Sequence, residues 1–130
     1  MSIFLCYNLP RGNFLKNMED VRVEDLTKNS VLVLPVGYLE RSLGQKIKEA
    51  VKLILAQGNK NVVISFAEVT RVNSLGMSEL IDTFDLIDSG GAEMWFVDVR
   101  SDVLAILEAA GLLNLVSQIL TLAEAKERLK

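Results

Sequence analysis

Three short apolar runs constrain this chain most: Val31-Leu32-Val33-Leu34-Pro35-Val36, Val62-Val63-Ile64-Ser65-Phe66 and Met94-Trp95-Phe96-Val97. None alternates with polar residues, which is the signature of strands covered on both faces. Between and after them the apolar period changes to that of a helix. Leu43, Ile47, Ala50, Val51 and Ile54 recur up to Gly58, Met77, Leu80, Ile81, Phe84 and Ile87 up to Gly90-Gly91, and Val103, Leu104, Leu107 and Ala110 up to Gly111. Val21-Arg22-Val23-Glu24 alternates strictly and reads as a strand near a sheet edge, with one face wet. Val116 to Leu120 allows one more short strand, and Leu122, Ala125 and Leu129 outline a last helix.

The order strand, strand, helix, strand, helix, strand, helix, short strand, helix defines an α/β domain. The expectation is a mixed sheet of four or five strands with about four helices packed on it. Ser42-Leu43-Gly44-Gln45 has the spacing of a capping box for the first helix, and Ser101-Asp102 is suited to cap the third. Each helix carries a single apolar stripe, so the simplest packing is one apolar layer between helices and sheet. With 130 residues, half of them apolar, one such core is affordable in a single domain. Residues 1–18 stand apart: the apolar patch Ile3 to Tyr7, then Pro10, Gly12 and Asn8, Asn13 and Asn17. They read as an N-terminal arm or an extra edge strand, which leaves pairing with a second copy open, and residues 19–130 read as the domain.

Several function classes fall away. The chain has no histidine, so a Ser-His or Cys-His nucleophile pair, a histidine metal site and an imidazole base are absent. Its net charge of −3 and its scattered basic residues give no footprint for nucleic acid. Cys6 is the only cysteine, which excludes an internal disulfide and suits a reducing cytoplasm. No apolar run approaches the roughly 20 residues of a membrane helix, and no basic segment precedes Ile3 as in a leader peptide. No Gly-x-x-x-x-Gly-Lys loop occurs, Trp95 sits in a core strand, and Asp82, Asp85 and Asp88 read as a solvated helix face rather than a metal site. No cofactor is expected.

The richest stretch runs from Val62 to Met77, where a buried strand leads into a loop and the loop opens a helix at Asn73-Ser74-Leu75-Gly76. Read alone, a serine at such a place is an N-cap that satisfies free amides. The stretch, however, resembles the STAS domain family, the sulfate transporter and anti-sigma-factor-antagonist domains, in which Asp-Ser-x-Gly starts a helix after an apolar strand and a loop. The likeness continues through Val36-Gly37-Tyr38-Leu39, Ala110-Gly111-Leu112 to Val116 and Leu122-Ala123-Glu124-Ala125, and it covers about residues 20 to 130. Asn73 stands where the family has an acid, and Ser65 where the family often has aspartate at the strand end.

The resemblance implies a non-enzymatic binding module. In stand-alone antagonists of this family, an anti-sigma factor that is an ATP-dependent serine kinase phosphorylates the motif serine, here Ser74. The unphosphorylated domain binds that partner, and the sigma factor is released. Any ATP then belongs to the partner. The surface implied comprises Gly37, Tyr38, Leu39, Glu40, Arg71, Asn73, Ser74, Leu75, Gly76 and Met77, with Gly76 bare so that a partner's backbone can approach. Two other readings stay open: a STAS subunit of a lipid-transport ATPase complex with no phosphate cycle, which Asn73 favours, and a small-ligand or lipid carrier.

Overall fold

The computed structural model describes residues 20–130; the expected arm at residues 1–18 lies outside the described residues. Strands β1 (Val21–Thr27) and β2 (Ser30–Pro35) form an antiparallel hairpin, with Val23 opposite Val33. The short strand β3 (Gly37–Leu39) follows, then helix α1 (Arg41–Ala56), β4 (Asn61–Ser65), β5 (Val69–Val72), α2 (Ser74–Ser89), β6 (Glu93–Val97) and α3 (Ser101–Ala109). A 3-10 turn (Leu112–Asn114), β7 (Gln118–Leu120) and α4 (Leu122–Arg128) complete the described chain.

Five strands form one mixed sheet in the order β1-β2-β4-β6-β7, parallel except for the first pair. The three unbroken apolar runs occupy its centre, because only a strand covered on both sides tolerates apolar residues at every position. β1 lies at the edge, and its Arg22 and Glu24 face solvent as the alternation requires. Pro35 lies opposite Val21 of β1 in a pair that exchanges no hydrogen bonds, and beyond Val33 the ladder between β2 and β4 has stopped, so its missing amide leaves no ladder bond unmade.

Four expectations are corrected. The core is two layers: Val31, Val33, Val62, Ile64, Met94 and Phe96 meet α1, α2 and α3, whereas Leu32, Val63, Trp95 and Val97 meet Ala125 of α4 in a second cluster. A helix with one apolar stripe does not specify which sheet face it covers, so periodicity alone misses this split. The cap of α1 is Glu40, whose Oε1 accepts from the Leu43 amide at 3.0 Å, and not Ser42. Helix α3 begins one residue after Arg100 with no side-chain cap, and Asp102 lies inside its first turn. Ile81 faces outward and is 38 % exposed, leaving Leu80 and Ile87 as the fully buried apolar side chains of α2.

Candidate functional site

The segment after β4 holds a strand that its four residues do not announce. β5 pairs in parallel with β3, aligning Tyr38 with Arg71 and Leu39 with Val72. Val69 is fully buried, and Gly37 adopts φ +109, a left-handed conformation that favours glycine, where its amide donates to the Glu68 carbonyl at 2.9 Å. Arg100, the residue just before α3, braces this small ladder: its Nη2 donates to the Thr70 carbonyl at 2.9 Å. Its hydrogen bonds to Asp102 hold that carboxyl below the usual carboxylate range. The Asn73 amide then donates to the Leu39 carbonyl at 3.1 Å, which fixes where α2 starts.

At that start the labour is divided between two residues. Asn73 is the N-cap, and its Oδ1 accepts from the Gly76 amide at 2.9 Å. Ser74 is therefore the first residue of the helix proper and is exposed. Among the described residues its hydroxyl has no hydrogen-bond partner. The plain reading of Ser74 as a cap does not hold; the neighbouring asparagine does that work. Ser65 is buried, and its Oγ accepts from the Ala67 amide at 3.2 Å, turning the chain out of β4.

The residues singled out in the sequence come together but divide by exposure. Tyr38, Arg71, Ser74 and Leu75 are exposed, with Leu75 45 % exposed, and Gly37, Glu40 and Asn73 are half-buried beside them. Arg71 lies over the Tyr38 ring, with Cζ 4.3 Å from the ring centroid. Leu39 is fully buried, Gly76 is buried, and Met77 packs against the core. The bareness of Gly76 has an internal cause: a Cβ there would overlap the Leu39 carbonyl oxygen. Gly44 has the matching role on α1, because a Cβ would meet Cβ of Glu79 at 2.5 Å. Gly76 thus lets α2 start against β3, Gly44 lets α1 lie close to α2, and Lys48 of α1 joins Glu79 at 2.8 Å and Asp82 at 3.7 Å. Asp82 and Asp85 line, with Lys48 and Lys52, a surface groove of about 350 Å³; among the described residues no group of acids is arranged to hold a metal.

A family model described as the STAS domain matches residues 28–125. The chain belongs to the STAS domain family. No curated protein matches it. A solved structure described as a putative anti-sigma factor antagonist from Thermotoga maritima is 19 % identical over 83 % of this chain and 92 % of that one, with a TM-score of 0.72. An anti-sigma factor antagonist from Mycobacterium paratuberculosis is 19 % identical over 81 % and 88 %, with a TM-score of 0.68. The Bacillus cell fate determinant SpoIIAA in its phosphorylated form is 15 % identical over 85 % and 99 %, with a TM-score of 0.66. At these identities the likeness is one of fold: a STAS domain with its mixed five-stranded sheet and four helices. None of the described helices is long and apolar enough to cross a membrane.

Proposed function

We propose that this STAS domain is a non-enzymatic anti-sigma-factor antagonist that binds a serine-kinase anti-sigma factor in the cytoplasm and is switched by phosphorylation at Ser74. The observation that carries this reading is the exposed Ser74 hydroxyl, uncommitted because Asn73 caps the helix. A phosphate at that position meets the free amides and positive end of α2, so modification need not unfold the domain. The partner feels the change instead: about −1.5 to −2 charges at a docking surface raise desolvation cost and repel carboxylates. SpoIIAA, which shares the fold, has been described in both unphosphorylated and phosphorylated forms.

The docking surface we propose is formed by Gly37, Tyr38, Glu40, Arg71, Asn73, Ser74 and Leu75, shaped from behind by Leu39, Gly76 and Met77. At standard size the contact buries about 1,200–2,000 Å² in total. The test is a pull-down from the source cells followed by affinity measurement. An ATP-binding kinase is the expected catch, and Ser74→Asp weakens its binding by about tenfold or more. Equal affinity of wild type and Ser74→Asp for that kinase contradicts the reading. Asn73, which replaces the family acid, favours one alternative, a bracing subunit of a lipid-transport ATPase without a phosphate cycle. In that case the catch is a transporter ATPase, indifferent to Ser74→Asp.

A further inference from the structure

We propose that Arg71 is a two-position side chain, stacked on Tyr38 when Ser74 is bare and paired with the phosphate when Ser74 is modified, so that phosphorylation uncovers the Tyr38 ring. The inference rests on the reading of Ser74 given above and extends it to the residue that senses the new charge. The β3-β5 register puts Tyr38 and Arg71 side by side on the exposed side of the ladder, and the guanidinium lies 4.3 Å from the ring centroid. Ser74 lies three positions after Arg71, at most about 11 Å along the chain and within the reach of an extended arginine.

Two of the neighbouring cations are otherwise engaged, whereas Arg41 at the head of α1 is exposed and makes no ion pair among the described residues. Lys48 is bound to Glu79 and Asp82, and Arg100 to Asp102 and the Thr70 carbonyl. Among the described residues Arg71 makes no ion pair, so the neutral ring is what holds it. Other charges on the adjoining segments are Glu40, Arg41 and Glu68; of these, the Glu40 carboxylate already accepts from the Leu43 amide. A stacked guanidinium at an exposed site is weakly held, whereas a guanidinium on a phosphate forms two parallel charge-assisted hydrogen bonds. A phosphate at residue 74 therefore wins the competition. The partner then meets a tyrosine face with its cation removed as well as a new anion, so the surface changes at two places.

The test uses the full chain with phosphoserine installed at position 74 during synthesis, which needs no kinase. Phosphorus NMR follows the second ionisation of the phosphate, and nitrogen-proton NMR follows the Arg71 Nε–H. With Arg71 present, the phosphate titrates below its ordinary value of about 6, and Arg71→Gln raises that midpoint by about half a unit or more. The Arg71 Nε–H resonance, shifted upfield by the ring in the bare protein, moves downfield on phosphorylation, and Tyr38→Leu removes the starting shift. An unchanged midpoint in Arg71→Gln, or an unmoved Arg71 resonance, overturns the inference. Either result leaves the pull-down test of Ser74 itself intact. Conversely, cells that never phosphorylate Ser74 sink the proposed function whatever this titration gives.

Discussion

Adjacent residues at the head of α2 have opposite duties, and substitution separates them. Asn73 carries the cap, so Asn73→Ala costs about 1 kcal/mol of stability in urea unfolding. Ser74→Ala, at an exposed position whose side chain holds nothing, stays within about 0.5 kcal/mol of wild type. A reversed order, with Ser74→Ala the costlier change, refutes the assignment. Gly76 presents a harder constraint. Gly76→Ala drives a methyl into the Leu39 carbonyl, backbone that cannot rotate away, and destabilises by about 1–3 kcal/mol. An alanine variant as stable as wild type shows that the α2 start is free to shift. From the sequence the glycine was legible as important but not for the right reason, because a close approach within the chain and one by a partner both demand a bare Cα.

At the scale of elements, α1 and α2 are pinned by the bridge from Lys48 to Glu79 and Asp82. The hydrogen bond that Lys48 donates to Glu79, with the charge of both nearby carboxylates, holds its amine above the ordinary range. A group whose pKa is raised by folding stabilises below its unfolded value and loses that contribution as pH climbs through the folded one. Stability therefore declines more steeply above about pH 10.4 in wild type than in Lys48→Met. Parallel alkaline limbs in urea titrations of the two proteins contradict the pairing. The same scale shows what periodicity reads and what it leaves out. Five-residue apolar strands and four-turn stripes are strong patterns, and β2, β4, β6, α1 and α2 follow from them. Val69-Thr70-Arg71-Val72 is too short to stand out from a loop; its partner Gly37–Leu39 is shorter still, and each is a strand only because the other is there. The cap of α1 escaped for a related reason: Ser42 matches the commonest capping pattern, but Glu40 lies where the chain leaves β3.

Across the whole molecule, the sheet has unlike faces: three helices cover one, and the described cover of the other includes the seven-residue α4. That helix depends on its capping box, in which the Thr121 hydroxyl accepts from the Glu124 amide and Glu124 accepts from the Thr121 amide. Trp95, the only tryptophan, lies in the α4 cluster and reports on it directly. Thr121→Ala frays α4 and shifts Trp95 emission to the red at temperatures where far-ultraviolet circular dichroism still shows the rest folded; coincident transitions mean that α4 melts with the core. The family and the place of the Ser74 loop were readable because motif order along the chain survives low identity. The orientation of the serine was not, since capping by residue 73 or 74 differs by one position in a sequence that permits both. We propose that this freed hydroxyl is a switchable label. Its most direct measurement is an intact-mass and peptide-mapping experiment on the chain incubated with its captured ATP-binding partner and ATP. One added phosphate is expected, mapped to Ser74 and absent from Ser74→Ala; a chain that stays unmodified, or a phosphate mapped elsewhere, contradicts a switch at this hydroxyl.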